Sequence, residues 1–338
     1  MNRRMIQNVI AMAAVSMLAA ACGSSASGGG ESYTIRMAST ATPEHTYTPE
    51  AEAMAKKVEE RSDGRLKVEL VFGGVLGSEK EMTEQVQRGE VEMGWLSDIG
   101  MAGVVPDIGF VNLPYLFPSY EEVDKNYFGG FLGEEVKARL AKHDIKLLGW
   151  VENDYRDLTN STKEIDSVDD LKGLKLRVPE LPMFVDFFSK LGANPTPIAV
   201  TELLTALQQG TVDGQDNGVI LTYSFGFYEA QKYFTDTHHS YSGGGIVIGA
   251  QTWNDLPEDL QTILAEESEA AGVRQRAANR DQVASFRQKM VDSGIKFTKL
   301  SEAERARFVD VGRSLYPEYA DDYGSELMQK IDDELGND

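Results

Sequence analysis

The sequence predicts an α/β fold built on a largely parallel sheet. Strand-like segments with alternating apolar and polar residues are interleaved with segments whose apolar residues recur at helical spacing. Because strand, helix and strand follow one another, the strands are expected to pair in parallel. Residues 257–290 form one continuous helical pattern, which spans on the order of 45 Å. A helix of that length could bridge two lobes.

The first part of the chain alternates regularly. Strands are predicted at 33–38, 65–72 and 91–96, and helices at 50–61 and 78–89. The second helix begins at a capping box formed by Ser78 and Glu81, and Gly89 closes it. This order predicts a β-α-β-α-β unit.

The rest of the chain continues the alternation. Strands or extended segments are predicted at 145–151, 174–178, 194–198 and 246–250, and helices from 167, at 183–191, 201–209 and 301–314, and from 318. The run at 246–250 is short and wholly apolar, which is typical of a strand covered by helices on both faces.

Composition and charge limit the possible partners. The 338 residues are 41% hydrophobic and carry 33 basic against 54 acidic side chains, a net charge of −21. Such a field repels nucleic acid and anionic lipid surfaces, so neither is an expected partner. A binding site for an anion would need its own local positive charge.

Residues 1–21 have the pattern of an export signal. Arg3 and Arg4 precede a short apolar run that ends in three alanines, and the run is too short to span a membrane. Removal of this segment would leave 31 basic against 54 acidic residues, a net charge of −23.

Cys22 is the only cysteine and follows the expected cleavage site directly. One interpretation is a free thiol placed there by chance. The other, which we favour, is a lipid-anchored N-terminus, since 18–22 (LAAAC) resembles a bacterial lipobox. Residues 22–30 would then be a flexible Gly/Ser tether.

Common catalytic and cofactor motifs are absent from the sequence. It contains no P-loop, no His-Glu-x-x-His, no Gly-x-Ser-x-Gly and no cysteine cluster, so we expect no cofactor and no metal site. An enzyme would have to depend on carboxylates that composition cannot single out among 54 acidic residues.

Several longer segments resemble a known family. They are 171–179 (LKGLKLRVP), 191–197 (LGANPTP), 205–210 (TALQQG), 212–217 (VDGQDN), 227–233 (FYEAQKY), 256–260 (LPEDL), 76–78 (LGS) and 113–117 (LPYLF). Taken in chain order, they are similar to the solute-binding proteins of tripartite ATP-independent periplasmic (TRAP) transporters, the DctP family, over nearly the whole mature chain.

The resemblance implies a two-lobed fold of the type II periplasmic-binding-protein kind. Lobe I would comprise 31–154 plus 243–282, and lobe II 155–242 plus 283–338. The long helix would cross both lobes, and a hinge motion would close the cleft over a solute.

The same resemblance assigns three ligand-binding residues in lobe II. Arg177, at a strand end, would by itself suggest a surface cation, but the family's Arg-Val-Pro motif implies that it clasps a solute carboxylate through two parallel N–H donors. Arg156 could pair with the adjacent Asp154 or Asp157, yet its family position implies a second cation in the cleft. Asn217 could be a turn residue, or the asparagine that hydrogen-bonds the ligand.

Candidates in lobe I rest mainly on their place beyond strand ends, where α/β sheets bind ligands. They are Thr40, Glu44 and His45 after the first strand, and Ser97 and Asp98 after the third. For Asp98 a solvated loop acid is the competing interpretation, and for His45 a helix-entry residue. Trp150 and Tyr155 are expected either to wall the cleft or to pack in the core.

We therefore expect an extracytoplasmic receptor, not an enzyme, that binds a sugar acid, dicarboxylate or keto acid and delivers it to TRAP membrane subunits. Its only contact with the membrane itself would be the lipid anchor. A ligand sensor of the same fold that signals to a receptor kinase, and an extracytoplasmic hydrolase or lyase, remain alternatives.

Overall fold

One nine-stranded mixed sheet organises the chain. The computed structural model describes residues 31–336. The strands are β1 (Tyr33–Ala38), β2 (Leu66–Val71), β3 (Met93–Ser97), β4 (Ile145–Asn160), β5 (Lys175–Val178), β6 (Asn194–Pro197), β7 (Gly214–Gln215), β8 (Tyr233–Gly249) and β9 (Lys296–Lys299). Their order is β2-β1-β3-β8-β4-β7-β5-β6, with β9 beside β8.

The helices lie between and around these strands. They are α1 (Tyr47–Arg61), α2 (Glu79–Gln87), α3 (Asp98–Ala102), α4 (Tyr120–Glu122), α5 (Phe131–Lys142), α6 (Pro182–Lys190), α7 (Val200–Gln208), α8 (Val219–Ser224), α9 (Ala250–Asp255), α10 (Glu258–Asp292), α11 (Glu302–Arg313), α12 (Ala320–Tyr323) and α13 (Ser325–Leu335). Short 3₁₀ turns occur at Pro106–Asn112, Val168–Leu171, Phe227–Ala230 and Tyr316–Tyr319, and a π-helical segment at Val123–Phe128.

The predicted parallel unit at the start of the chain is confirmed. β1 pairs in parallel with β2 and with β3, and α2 begins at the predicted capping box, where Ser78 accepts from the backbone of Glu81. In the second group, β5 lies parallel to both β6 and β7. Each group is a small parallel sheet, and within the nine-stranded sheet the long strands between them join the two.

Two long antiparallel strands, β4 and β8, connect the groups. The sequence patterns predicted only the first part of β4, at 145–151, and the last part of β8, at 246–250. Their pairing is interrupted at Glu152/Asp154 and Arg156/Leu158. Asp154 and His238 there have positive φ angles of 102° and 45°. Such angles are costly for residues other than glycine, so the crossing between the groups is locally strained.

Helix α10 is a single continuous helix of 35 residues, as the sequence pattern predicted. Leu260 and Leu264 near its start pack in the core of β1, α1 and β3. Phe286 and Met290 near its end pack in a different core with Phe234. The fold is therefore two-lobed, with α10 spanning both lobes; the residue limits of the lobes stay a prediction.

Candidate functional site

A closed cleft lies between two walls. The first wall is Thr40, Ala41, His45, Tyr47, Glu79, Ser97 and Ile99; the second is Arg156, Arg177, Pro179, Val200, Asn217, Leu221 and Phe225; Asn153 and Ser242 complete the lining. The volume of the cleft is about 40 Å³. Several lining residues stand at the carboxyl ends of strands, where α/β sheets bind ligands.

The two sides of the cleft touch each other directly. The Thr42 hydroxyl donates to the Ser224 carbonyl oxygen at 2.9 Å. The His45 ring meets the Phe225 ring edge-on, with centroids 5.9 Å apart. These contacts join the segment after β1 to the end of α8, so the structure has the closed form of the cleft.

Two buried guanidinium groups give the second wall its charge. Arg156 contacts Asp216 through Nη2 and Oδ1 at 2.9 Å and through Nε and Oδ2 at 3.3 Å. Arg177 Nη1 lies 3.7 Å from the same Oδ1, and its Nε donates to the Ile198 carbonyl oxygen at 2.8 Å. Because one carboxylate faces two cations, this wall keeps a positive charge.

Histidine completes the group around Asp216. His239 Nε2 lies 3.6 Å from Asp216 Oδ2, and its Nδ1 lies 2.9 Å from the Thr237 hydroxyl. Burial alone would raise the pKa of Asp216, but Arg156, His239 and Arg177 bring it below its ordinary value. Burial lowers the pKa of Arg177 to about 10, against the opposing effect of Asp216. Arg177 therefore stays charged at neutral pH.

Asn217 is held in place by a glutamine two residues earlier. Gln215 Oε1 accepts from the backbone N–H of Asn217 at 2.7 Å and from its Nδ2 at 2.6 Å. Gln215 Nε2 in turn donates to the hydroxyls of Thr159 and Thr222. The side-chain amide of Asn217 is thus fixed before a ligand arrives, with its carbonyl oxygen available as an acceptor.

His45 offers a neutral N–H donor on the first wall. Its Nδ1 accepts from the backbone N–H of Tyr47 at 3.1 Å, so the proton of the neutral ring is on Nε2. Burial lowers the pKa of His45 to about 3. The ring is therefore uncharged throughout the physiological range.

The first wall also carries a free hydroxyl and a carboxylate. The Tyr47 hydroxyl is buried and has no hydrogen-bond partner among residues 31–336. Glu79 accepts from the backbone N–H of Ser97 at 3.1 Å and from the Ser97 hydroxyl. Burial raises the pKa of Glu79, although Ser97, Arg177 and Arg156 act in the opposite direction. This wall can donate to and accept from hydroxyl groups.

Comparison with known proteins identifies the family. The model of the DctP family, bacterial extracellular solute-binding protein family 7, matches residues 37–322. The chain belongs to this family. It is 31% identical over 301 residues, 86% of this chain and 90% of the relative, to the 2,3-diketo-L-gulonate-binding periplasmic protein YiaO of Escherichia coli.

Solved structures of DctP proteins share the fold. The sugar acid binding protein DctPAm of Advenella mimigardefordensis, in complex with galactonate, superposes with a TM-score of 0.86 at 27% identity, covering 90% of this chain and 97% of that one. A TRAP periplasmic solute-binding protein from Polaromonas, bound to D-erythronate, gives 0.84 at 29% identity, covering 90% and 99%.

Membership of the DctP family confirms the expected class of protein. TRAP solute-binding proteins are extracytoplasmic receptors that bind small organic acids and work with TRAP membrane subunits, and they are not enzymes. Within residues 31–336, no helix is both long enough and apolar enough to cross a membrane. The predicted export signal 1–21, Cys22 and the whole tether 22–30 lie outside the described residues.

The cleft of this DctP protein contains six of the ten side chains predicted to bind the ligand. They are Thr40, His45, Ser97, Arg156, Arg177 and Asn217. Ser97 lines the cleft while its side chain also caps α3, accepting from the backbone of Gly100 at 3.0 Å. A contact between these residues and a solute stays a prediction.

The other four predicted side chains do not line the cleft. Glu44 is exposed. Asp98 is fully buried and accepts from the backbone N–H of Gly243 at 2.8 Å and from the Tyr127 hydroxyl at 3.2 Å. Trp150 packs against Tyr127, with ring centroids 5.0 Å apart. Tyr155 donates to the Phe117 carbonyl oxygen and lines a separate cavity.

Sequence reasoning missed four residues of the site. Glu79 and Tyr47 line the first wall, Phe225 lines the second, and Asp216 lies behind it. Glu79 stood inside the recognised capping box, where an acid is expected for helix stability. Of these four residues, only Asp216 could have been suspected from the sequence, because it precedes Asn217 inside the motif 212–217.

Proposed function

We propose that the chain is the receptor of a TRAP transporter for a sugar acid, a solute with one carboxylate and several hydroxyl groups. The observation that carries the proposal is the asymmetry of the cleft. Its second wall presents two buried guanidiniums that share one carboxylate, and its first wall presents neutral donors and the acceptor Glu79.

In this proposal the solute carboxylate lies against Arg177 and Arg156. A guanidinium matches a carboxylate with two parallel N–H donors, and the pairing strengthens in a cleft from which water is excluded. The ion pair and cleft closure would together supply most of the affinity, and no bond is made or broken.

The hydroxyl groups of the solute would face the first wall. His45 and Tyr47 can donate to them, and Glu79 can accept from them. A dicarboxylate would instead bring a second negative charge towards Glu79, an arrangement that is unfavourable at low dielectric. The geometry therefore favours a sugar acid over a dicarboxylate. The galactonate and D-erythronate bound by the similar proteins are solutes of this chemistry.

Isothermal titration calorimetry with galactonate and D-erythronate tests the proposal. Arg177→Ala should weaken binding by about 3 kcal/mol, or roughly 100-fold, because it removes a buried charged partner of the solute. Lys175→Ala is the matched control, since Lys175 lies on the same strand but is exposed. Unchanged affinity in Arg177→Ala would refute the clamp.

We further propose that Cys22 carries the lipid anchor and that residues 22–30 tether the receptor close to the TRAP membrane subunits. The support is the position of the only cysteine, directly after the predicted export signal and before a Gly/Ser-rich stretch. Mass spectrometry of protein extracted from membranes should detect acyl chains on the N-terminal cysteine. An unmodified N-terminus would argue against the anchor.

A further inference from the structure

A second, larger cavity lies away from the cleft. Its volume is about 1010 Å³, against about 40 Å³ for the cleft. Its lining includes Tyr155 of β4, His238 of β8, and Arg305 and Val309 of α11. Cavities of several hundred cubic ångströms and more are typical of small-molecule sites. This one borders the two strands that connect the lobes.

Backbone strain is concentrated at the rim of this cavity. Tyr115 and His238, both in its lining, have positive φ angles of 57° and 45°. The backbone N–H of Tyr115 donates to the His239 carbonyl oxygen at 2.9 Å, which ties the loop to β8. Strained non-glycine residues persist where surrounding contacts fix them, and they cluster at ligand sites and switch regions.

The cavity also contains positive charge that the described residues leave unpaired. Arg305 donates to the Thr237 and Asp236 carbonyl oxygens at 2.9 and 2.7 Å. Arg313 donates to the Tyr115 carbonyl oxygen at 2.9 Å. Within residues 31–336, neither guanidinium forms an ion pair with a carboxylate. This is notable in a chain with a net charge of −21.

The remaining charges near the cavity do not cancel these two cations. His238 is paired with Asp157, with Nδ1 and Oδ1 3.2 Å apart. Among residues 31–336, Asp332 is the one acidic side chain in the lining, against Arg305 and Arg313. The other lining groups are largely aromatic or apolar, among them Tyr316, Pro317 and Met328. Positive charge beside an apolar surface matches a ligand that is anionic at one end and apolar along its body.

We propose that this cavity is a second ligand site, which binds an organic carboxylate with an extended apolar body. The carboxylate lies beside Arg305 and Arg313, and the apolar body packs along the aromatic and aliphatic lining. This ligand class differs from the polyhydroxylated solute of the cleft, and the site does not depend on the function proposed for the cleft.

Decanoate is a suitable probe, measured by isothermal titration calorimetry on the full mature chain. Binding should be retained in Arg177→Ala, because the cleft is not involved. It should weaken at least about tenfold in Arg305→Gln, the loss of one charge-assisted interaction. Arg307→Gln, on the exposed face of the same helix, is the matched control and should bind as the wild type does.

If Arg305→Gln does not fold, a variant that fills the cavity still tests the proposal. Val309→Trp places a large side chain in the lining without removing a charge, and it should abolish decanoate binding while galactonate binding is unchanged. Two results would overturn the proposal: no decanoate binding to the wild type, or binding that Arg177→Ala abolishes and Val309→Trp leaves intact.

Discussion

The two walls of the cleft differ in their charge and in the contacts that hold their side chains. The second wall is charged and rigid, because Arg156 and Arg177 are held on one buried carboxylate, Asp216. The first wall is held by hydrogen bonds and contains a neutral histidine, His45, and an acid, Glu79. The comparison indicates that the second wall selects for a negatively charged solute, whereas the first wall selects for the groups on the rest of that solute.

The strongest test of this difference between the walls is to remove the negative charge of Asp216, which holds the two guanidiniums of the second wall in place. Asp216→Asn keeps the shape of the side chain but leaves two buried guanidiniums unpaired. We expect a loss of about 3–5 kcal/mol in the free energy of unfolding, measured by urea denaturation. Asp213→Asn, in the same segment but half-buried, should cost much less. Equal effects of the two substitutions would mean that Asp216 does not order the wall.

Selectivity is the corresponding test of the first wall. Glu79→Gln removes the negative charge opposite the guanidiniums and keeps an oxygen acceptor. The ratio of galactonate to succinate affinity should fall by about 10-fold or more, since a close like-charge repulsion is relieved. Calorimetry with both solutes measures the ratio. An unchanged ratio would show that Glu79 does not discriminate against a second carboxylate.

The pH dependence of stability tests the neutral state assigned to His45. Its pKa is about 3 in the folded protein against an ordinary 6.5, so the unfolded chain binds the proton first as pH falls. The contribution of His45 to stability is therefore complete above about pH 6.5 and is lost as pH falls towards about 3. Relative to its own stability at pH 7, His45→Gln should lose about 3 kcal/mol less than the wild type at pH 4.

Urea denaturation at several pH values provides this measurement, with His143→Gln, at a half-buried histidine outside the cleft, as the control. Parallel pH profiles for wild type and His45→Gln would contradict the neutral, buried state of the ring.

The smallest effect is expected where the two sides of the cleft touch. Thr42→Val removes the hydroxyl that donates to the Ser224 carbonyl oxygen in the closed form. Galactonate affinity should fall by about 1 kcal/mol, or roughly fivefold, with little change in the unfolding free energy. Thr42→Ser keeps the hydroxyl and should restore affinity. Equal affinity of all three proteins would show that this contact does not stabilise closure.

The sequence predicted the polar residues of the second wall better than those of the first. Arg177 and Asn217 were predicted because they lie in segments that resemble the family, and Arg156 was predicted from its position in the family. Asp98 was expected in the cleft for a similar reason, yet its carboxylate turns to the backbone of Gly243 and to Tyr127. Position beyond a strand end indicates where a residue lies but does not determine which way its side chain points.

The missed features have physical causes as well. The first part of β8, residues 233–245, mixes aromatic, polar and glycine residues, and nearly all of it is buried on both faces, so no alternation marks it as a strand. Glu79 and Asp216 are two acids among 54, and only tertiary contacts distinguish them from solvated ones. Helix α10 was predicted because its apolar residues recur at helical spacing over a long segment. Such a pattern can be recognised from the sequence without knowledge of tertiary contacts.

A crystal structure of the mature chain with bound galactonate tests the central claim most directly. The account predicts the galactonate carboxylate within hydrogen-bonding distance, about 3 Å, of the Arg177 guanidinium, and the hydroxyl groups towards His45, Tyr47 and Glu79. A carboxylate that instead contacts the first wall, or galactonate bound outside the cleft, would contradict it.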